Sequence, residues 1–441
     1  MEEGKDQRGE EGEEEDGEKL EESVSSTPGE SLRSKLSAMK QKRKESKTEQ
    51  ESFGSDFIGF NDEETTEKQQ DEVPIKEVSA IDRKSPWARG KMYSSSFRDS
   101  AMELHNEILD FVAFIKPTNA EVKRREMLVQ FCTSVTKEIW PEAELKVFGS
   151  YATGMFLPSS DVDMVVVNCS DCDPLVKLAK VLKSDGNFDK IQVIGKAKVP
   201  IIKFEDVPSG IPLNICFGQE DGLINTEWVK EQKQKWQPLE PLLLVLKQFL
   251  YNRDLHETYT GGIGSYLLTM TIISCLQHHP GVGPSYQEGE TNLGALLMDY
   301  LHLYGLRFNY DTVGISVKGE GGFFLKESRG WINHARPFLL SVEDPNNPEN
   351  DLGKNSFNIR NVQRALEYAF FSLARWSRGG GETRLGSILR WDQRWDSAFA
   401  EHRLRRFSSA PSSRGGREGD VQSSRAKDGE SGGGRGGGRG G

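Results

Sequence analysis

The sequence predicts an α+β fold, in which a small mixed β-sheet packs against a mostly helical region and both chain ends are disordered tails. Short apolar runs alternate with period two between residues 144 and 217, which is typical of strands. From Pro238 onward the apolar residues recur at helical spacing. The first 85 residues and the Gly-rich end have compositions that cannot form a packed core.

The predicted tails set limits on the class of protein. Residues 1–85 are mostly Glu, Lys, Ser and Gln, too few of them apolar to offset the entropy of ordering. The basic cluster "KQKRK" at 40–44 is either a nuclear-import signal or a solvated charge run. The last ten residues, "GGGRGGGRGG", are either a flexible tail or a segment that binds single-stranded nucleic acid through phosphate contacts and stacking.

Composition also bears on compartment. The acidic N-terminus has no apolar core, so no signal peptide is expected, and no apolar run is long enough to predict a membrane span. Five scattered cysteines predict reduced thiols in an intracellular protein. The formal net charge of −11 averages very different segments, so it does not exclude a nucleic-acid partner.

The predicted elements follow in order along the chain. Two helices are predicted before Pro141, the second beginning after the N-cap pattern "TNAE". "ELKVFGS" and "DVDMVVV" are predicted strands, separated by a tight loop that opens a short helix. After the helical segment "PLVKLAKVLKS", the segments "KVPIIKFED" and "IPLNICFG" are predicted to form a hairpin around "VPSG". Four further helices are predicted beyond Pro238.

Asp161 and Asp163 are the first candidate functional residues. They lie at the start of an apolar strand, and because side chains repeat every second residue they point to the same side. Ionised carboxylates in a buried strand are costly unless they are paired or bind a metal, and Mg²⁺ prefers such oxygen ligands together with substrate phosphates. Upstream, Gly149 and Ser150 lie where backbone N–H groups and a hydroxyl bind phosphate. The combination predicts metal-assisted nucleotidyl transfer.

The stretch "VFGSYATGMFLPSSDVDMVVV" resembles the signature of the DNA polymerase β-type nucleotidyltransferase superfamily. Downstream, the resemblance narrows to the nuclear TRAMP-type poly(A) RNA polymerases with a PAP-associated domain, which tag RNA for the exosome. The segments that carry this narrower resemblance are "LLLVLKQFLYNRDLHETYTGGIGSYLL", "NLGALLMDYLHLYGLRFNYDTVGIS", "RPFLLSVEDPNNPENDLGKNSF" and "VQRALEYAFFSL". Together they cover about residues 86–375 in one colinear order.

The resemblance implies a domain layout. Residues 86–137 would form N-terminal helices that pack on the central domain, and 138–235 a nucleotidyltransferase (palm) domain. Residues 236–375 would form the helical central, PAP-associated domain, followed by a mostly flexible tail over 376–441.

It also implies roles for individual residues. Asp161 and Asp163 would bind Mg²⁺ or Mn²⁺, and Gly149 and Ser150 would hold the triphosphate of ATP. The other implied nucleotide contacts are Asn225 to the ribose hydroxyls, Lys247 and Ser265 to phosphates, and Tyr266 to the base. Read without the resemblance, Tyr266 is a core residue of an apolar helix and Lys247 a side chain that reaches solvent.

Two further residues concern base choice. In "VEDPNNPENDLGK" the resemblance places Asn350 where uridylyl-adding relatives have a His that excludes adenine. The shorter Asn leaves room for a purine, and Asp344 is a candidate acceptor for the adenine amino group. ATP is therefore the predicted substrate.

The third carboxylate of such sites is missing from the sequence. Its position in the family matches Asn214 in "IPLNICF". An amide has no charge and cannot accept a proton from the attacking hydroxyl, so the expected cost is a factor of about 10² to 10⁴ in rate. Glu205 and Asp206 lie nearby in sequence but at the turn, and neither is expected to substitute.

The function predicted from the resemblance is template-independent addition of AMP from ATP to RNA 3′ ends. The alternatives are a catalytically impaired homologue that acts as an RNA-binding scaffold, because of Asn214, and a terminal uridylyltransferase. The expected partners are RNA 3′ ends, a zinc-knuckle RNA-binding protein and an RNA helicase as in TRAMP. No association with a membrane is expected. The expected location is the nucleus.

Overall fold

The computed structural model describes residues 85–88, 100–195, 199–282, 291–377 and 382–390. The basic cluster at 40–44, the Arg/Gly-rich end and most of both predicted tails lie outside these described residues. Among the described helices, none is both long and apolar enough to cross a membrane.

Two helices precede the first strand, α1 (Ser100–Ile115) and α2 (Asn119–Ile139). Helix α2 begins as predicted, because Thr118 and Glu121 form a reciprocal capping box. Helix α1 packs in the helical core, whereas Leu128 and Cys132 of α2 lie in the core beneath the first sheet. The two helices therefore divide between the two cores, and differ from the expectation that both pack on the central domain.

The first sheet has five strands in the order β1-β2-β5-β4-β3. Its elements are β1 (Glu144–Phe148), α3 (Gly149–Thr153), β2 (Val162–Val167), α4 (Pro174–Asp185), β3 (Phe188–Ile194), β4 (Ile201–Asp206) and β5 (Ile211–Phe217). Strands β2 and β5 are parallel, and the other neighbours are antiparallel. The predicted hairpin is β4–β5. Edge strand β3 was not predicted, because most of its residues are exposed and it shows no period-two pattern.

The two faces of strand β2 differ in what they pack against, and Asp163 lies on the face away from the main core. It is buried on both faces, with Val162, Met164 and Val166 in the core shared with α2 and α4. Val165 and Val167 lie on the other face in a small cluster with Phe148. Asp163 belongs to this second face by the period of two, so its carboxylate points away from the main core of the sheet.

The second half of the described chain is mostly helical, with α5 (Asp221–Lys235), α6 (Leu239–Tyr251), α7 (Ser265–His278), α8 (Leu293–His302) and α9 (Ile359–Arg375). Helices α6 and α7 are apolar nearly all round and form the centre of its core. A small second sheet, ordered β7-β6-β8-β9, was not predicted. Its short strands are β6 (Val313–Ser316), β7 (Gly322–Leu325), β8 (Ser341–Asp344) and β9 (Asn347–Asp351).

Candidate active site

The two aspartates and Asn214 meet at the parallel pair of strands. Asp163 on β2 lies directly beside Asn214 on β5. The Nδ2 group of Asn214 donates hydrogen bonds to Asp161 Oδ2 at 2.5 Å and to Asp163 Oδ1 at 2.9 Å. Leu213 and Ile215 face the core beneath the sheet. The structure thus brings Asn214 against both carboxylates, and this is the position that the family resemblance gives to the third acid.

The electrostatics of this group favour a bound cation. Burial, and then the charge of Asp161, raise the pKa of Asp163 to about 7, while Asn214, Lys203 and Lys247 partly offset the rise. Two neighbouring carboxylates with little access to solvent repel each other, and a divalent cation bound between them stabilises both because it attracts each of them. The donor set fits Mg²⁺ or Mn²⁺, because a half-turn of the Asn214 amide presents a neutral oxygen instead of its nitrogen.

Gly149 connects the phosphate loop to the acids. Its φ of +72° is in the left-handed region, and its N–H donates to Thr226 Oγ1 at 2.8 Å. A Cβ at this position would lie 2.6 Å from Asp163 Oδ2, so only glycine allows the loop to approach the carboxylate this closely. Thr226 in turn donates to Gly222 O at 2.7 Å, which fixes the loop to α5. Sequence reasoning missed Thr226, although it directly follows Asn225.

A cleft with two adjoining lobes surrounds the acids. Ser150, Asp161, Asp163 and Ser265 line both lobes. The smaller lobe, of about 290 Å³, is otherwise lined mostly by apolar and hydroxyl residues of α3, α5, α6 and α7 and of the segment around α3, together with the amide of Asn225. It brings together seven of the predicted site residues, namely Gly149, Ser150, Asp161, Asp163, Asn225, Ser265 and Tyr266.

The larger lobe, of about 520 Å³, lies on the Asn214 side of the acids. Lys247 lines this lobe and not the smaller one, and its Nζ donates to Met155 O at 3.1 Å. Burial lowers the pKa of Lys247 to about 8, although Asp161 and Asp163 act in the opposite direction. Lys203 and His256 also line this lobe, and sequence reasoning missed both.

Tyr266, Asp344 and Asn350 form one hydrogen-bonded chain behind the smaller lobe. Tyr266 Oη donates to Asp344 Oδ1 at 3.3 Å, and Asn350 Nδ2 donates to Asp344 Oδ2 at 3.1 Å. Burial, and then the charge of Asp344, raise the pKa of Tyr266, which keeps its hydroxyl protonated as a donor. Neither Asp344 nor Asn350 lines the lobes, so the structure links them to the cleft through Tyr266.

Asn346 links this chain to Asn225. Its Nδ2 donates to Asn225 Oδ1 at 2.8 Å, and its backbone N–H donates to Asp344 Oδ1 at 3.1 Å. Asn346 lies in the turn between β8 and β9, so this turn holds the ribose-contact candidate in place. Sequence reasoning missed Asn346, whose only signal was its position in the "DPNNPEN" turn.

Asp206 lies elsewhere. Arg124 Nη2 donates to Asp206 Oδ1 at 2.7 Å, and Ser209 also donates to this carboxylate. Asp206 is 1% exposed and lines neither lobe. Glu205 does line the larger lobe, but it forms an ion pair with Lys190 at 2.7 Å. Asp206 therefore serves the palm scaffold, in agreement with the expectation that it does not complete the acid triad.

Two protein-family models match the chain. A model of the "Poly(A) RNA polymerase, mitochondrial-like, central palm domain" family matches residues 104–232. A second model, of the "Cid1 family poly A polymerase" kind, matches residues 292–350. The first match contains both aspartates, Asn214 and Asn225, and the second contains Asp344 and Asn350.

Several characterised proteins resemble the chain. It is 36% identical to Poly(A) RNA polymerase CID14 of Cryptococcus neoformans over 67% of this chain and 39% of that protein. It is 32% identical to Poly(A) RNA polymerase protein 1 of Saccharomyces cerevisiae, over 76% of this chain and 54% of that protein. The Drosophila melanogaster protein named "Inactive non-canonical poly(A) RNA polymerase protein Trf4-2" is 34% identical over 65% of this chain and 72% of that protein. The chain spans about two fifths to a little over half of the first two relatives.

Solved structures give the same result. The polymerase core of TRAMP, an RNA surveillance complex, superposes with a TM-score of 0.63 at 32% identity, covering 69% of this chain and 99% of that one. The Cid1 poly(U) polymerase shares the fold, with a TM-score of 0.54 at 21% identity, covering 64% of this chain and 97% of that one. The fold and the arrangement of the site are those of the DNA polymerase β-type nucleotidyltransferase superfamily. Within that superfamily, the chain belongs to the TRAMP-type, non-canonical poly(A) RNA polymerase family.

Proposed function

We propose that the chain transfers AMP from ATP to RNA 3′ ends without a template. The observation that carries this proposal is the smaller lobe, which places a phosphate loop, two acids, an amide and an aromatic ring around one nucleotide-sized space. The relatives named as poly(A) RNA polymerases support the choice of reaction. A divalent cation, when bound, would neutralise phosphate charge and activate the attacking hydroxyl.

The residues of the chain have separate roles in this proposal. Asp161 and Asp163 hold the cation, and Ser150 and Ser265 bind the triphosphate where the two lobes meet. Lys247 adds positive charge from the larger lobe. Tyr266 stacks on the base, and Asn225, oriented by Asn346, binds the ribose hydroxyls. Because the two acids, Lys247, Tyr266 and Asn225 are held by protein hydrogen bonds, they bind the nucleotide at small reorganisation cost.

Primer extension tests the proposal. The purified chain is incubated with labelled oligo(A), Mg²⁺ or Mn²⁺, and each nucleoside triphosphate in turn. The proposal requires extension with ATP that depends on the cation. Absence of extension with every nucleotide and both cations, in protein that is folded and binds ATP, would reject it.

Base preference is the first prediction from this site. ATP is expected to be used at least about tenfold better than UTP, because one well-placed acceptor for the adenine amino group is worth roughly that factor. Asp344 lines neither lobe, but it keeps acceptor capacity beyond its bonds to Tyr266, Asn346 and Asn350, and an adenine amino group would reach it from the cleft past Tyr266. The measurement is kcat/KM for both nucleotides on one primer.

A matched pair of variants tests the residue behind this preference. Asn350→His introduces a larger ring beside Asp344 and is expected to shift the ATP/UTP ratio toward UTP, whereas Asn350→Ala is not. A parent that prefers UTP would overturn the assignment of base choice.

Asn214 favours a second candidate function, an impaired homologue that binds nucleotide or RNA as a scaffold. The site has two negative charges where the family pattern has three, and one relative is named inactive. The substitution Asn214→Asp separates the two functions. For an enzyme limited by weak cation binding, it should raise transfer at saturating primer by at least about tenfold, or about 1.4 kcal/mol. The cation concentration required for half-maximal rate should also fall.

Asn214→Ala is the control for this prediction, since it removes the amide without adding charge and should give no gain. If the chain is a scaffold, neither the parent nor Asn214→Asp should show nucleotidyl transfer. A fast parent that Asn214→Asp leaves unaltered would show that the third charge is not needed.

Partners and location belong to the same proposal. A zinc-knuckle RNA-binding protein and an RNA helicase are the expected partners, since the chain matches the polymerase core of TRAMP. Nuclear location is supported by that similarity and by the basic cluster at 40–44. Comparing the distribution of a tagged chain with and without residues 40–44 tests the location, and retention of a cytoplasmic pattern by both would reject it.

A further inference from the structure

The larger lobe has a role that follows from the chemistry of the smaller one. In-line phosphoryl transfer places the attacking hydroxyl opposite the leaving pyrophosphate. If the smaller lobe holds the nucleoside of ATP, the RNA 3′ end must reach the acids from the larger lobe. The two aspartates line both lobes, so a hydroxyl that enters from the larger lobe arrives at the same carboxylates.

Lys203 is the distinctive cation of the larger lobe. It lies on β4 directly opposite Asn214, in an antiparallel pair, so the two side chains share a face with their Cβ atoms about 5 Å apart. The alternating burial of β4 turns Lys203 toward the lobe and Ile202 and Phe204 toward the core. Lys203 makes no hydrogen bond or ion pair with any residue that the structure describes.

The other lysines of the lobe are already bound. Lys190 pairs with Glu205 at 2.7 Å, and Lys247 Nζ donates to Met155 O at 3.1 Å. Asn214 is neutral, so it offers Lys203 no ion pair across the strands. The Lys203 ammonium is therefore the one in this lobe that is available to an incoming anion, as far as the described residues show.

The charge of Lys203 acts on both walls of the cleft. It lowers the pKa of Asp163 against the larger effects of burial and Asp161. It also lowers the pKa of Glu257, after the larger effect of the hydrogen bond from His256. Lys203 therefore lies near the acids on one side and near the loop before α7 on the other, at the entrance that an RNA end would use.

We propose that Lys203 binds the last phosphodiester of the RNA acceptor and so holds the terminal 3′ hydroxyl beside Asp161 and Asp163. This inference rests on the proposed function, because it takes the smaller lobe as the nucleotide site. A solvated ammonium that meets a phosphate gains a charge-assisted contact without losing an existing protein partner. The absence of a carboxylate at Asn214 also spares the RNA phosphate a repulsive neighbour.

Equilibrium binding of fluorescent oligo(A) tests the contact without requiring catalysis. Lys203→Met is expected to weaken RNA binding about tenfold, with the affinity for ATP unchanged. The slope of log K against log salt should fall by about 0.7 in magnitude, as expected for one phosphate of a single strand. Lys230→Met, which removes a surface lysine paired with Glu227 outside both lobes, is the matched control and should change RNA affinity less than twofold.

A neutral linkage identifies the phosphate. Oligo(A) with a methylphosphonate at its last linkage should bind the parent about tenfold more weakly, and Lys203→Met should cause no further loss. With the methylphosphonate at the fourth linkage from the end, the effect of Lys203→Met should persist. Lys203→Arg should retain most of the RNA affinity, which shows that charge and not packing is measured.

The outcomes separate this inference from the proposed function. Lys203-dependent RNA binding in a chain that shows no transfer would support the inference and reject the enzyme. Normal transfer in which Lys203→Met raises KM for ATP and leaves RNA binding unchanged would overturn the inference, because the lysine would then contact the phosphates of ATP. Equal loss with methylphosphonate at either linkage would overturn it as well.

Discussion

Replacing Asp161 with alanine is expected to reduce nucleotidyl transfer by at least about 10³-fold, because the cation would keep one carboxylate ligand of the chain and a neutral amide. The Asn214 amide, which bridges Asp161 and Asp163, would lose one of its two acceptors. The measurement is single-turnover extension of oligo(A) at saturating ATP. Binding of Mn²⁺, followed by electron paramagnetic resonance, should weaken in parallel.

The same substitution should stabilise the metal-free protein at high pH. In the parent, burial and Asp161 raise the pKa of Asp163 to about 7, so the folded state binds the proton more tightly than the unfolded state. The stability this confers is complete below the unfolded pKa and is lost as pH rises through the folded pKa. Without Asp161 the pKa of Asp163 in the folded state is raised less, so the variant loses less folding stability than the parent as the pH rises. In EDTA at pH 8, Asp161→Ala should melt at or above the temperature of the parent.

Asp206→Asn is the matched control, because this buried acid is bound by Arg124 and Ser209 and lies outside both lobes. It should lower the melting temperature and leave the rate of transfer close to that of the parent. The reverse pattern, with transfer lost in Asp206→Asn and retained in Asp161→Ala, would contradict the placement of the site.

The acids of the site could be predicted from sequence because their signal is local. Period two places Asp161 and Asp163 on one side of a strand, and the apolar residues that follow show that the strand is buried. The hairpin pattern then defined β5 and its alternation, and therefore the direction of the Asn214 side chain. The structure adds the parallel register of β2 with β5, which pairs residues 51 positions apart and brings the amide to both acids.

The contacts that were missed depend on long-range packing. Asn346 and Asn225 are 121 residues apart in the sequence, and no periodicity or motif in either segment indicates that they are in contact. The strands of the second sheet have four or five residues each, too few for a period-two pattern to exceed chance. Lys203 looked like any exposed lysine of a strand, and becomes notable only when Asn214 is found directly opposite it.

Gly149→Ala is expected to lower transfer about 10²-fold through displacement of Asp163. The new Cβ would lie 2.6 Å from Asp163 Oδ2, which is too close for any atom pair of this kind. The carboxylate cannot move freely, since it is half-buried on β2 and accepts a hydrogen bond from Asn214. Either the loop or the acid must shift by several tenths of an ångström or more, and a misplacement of about 1 Å costs on the order of 10²-fold in rate. The measurement is kcat for oligo(A) extension at saturating ATP and cation.

Gly186→Ala separates this contact from backbone strain. Gly186 has a φ of +76°, close to the +72° of Gly149, but a Cβ there would meet nothing within 4 Å. Both variants should therefore lose about 1–2 kcal/mol of folding free energy to the left-handed backbone, measured by denaturant unfolding, and Gly149→Ala should lose more because of its contact with Asp163. Only Gly149→Ala should lose transfer as well. If the two variants keep the same rate of transfer, the reaction does not depend on the close approach of Gly149 to Asp163, and this role of Gly149 must be abandoned.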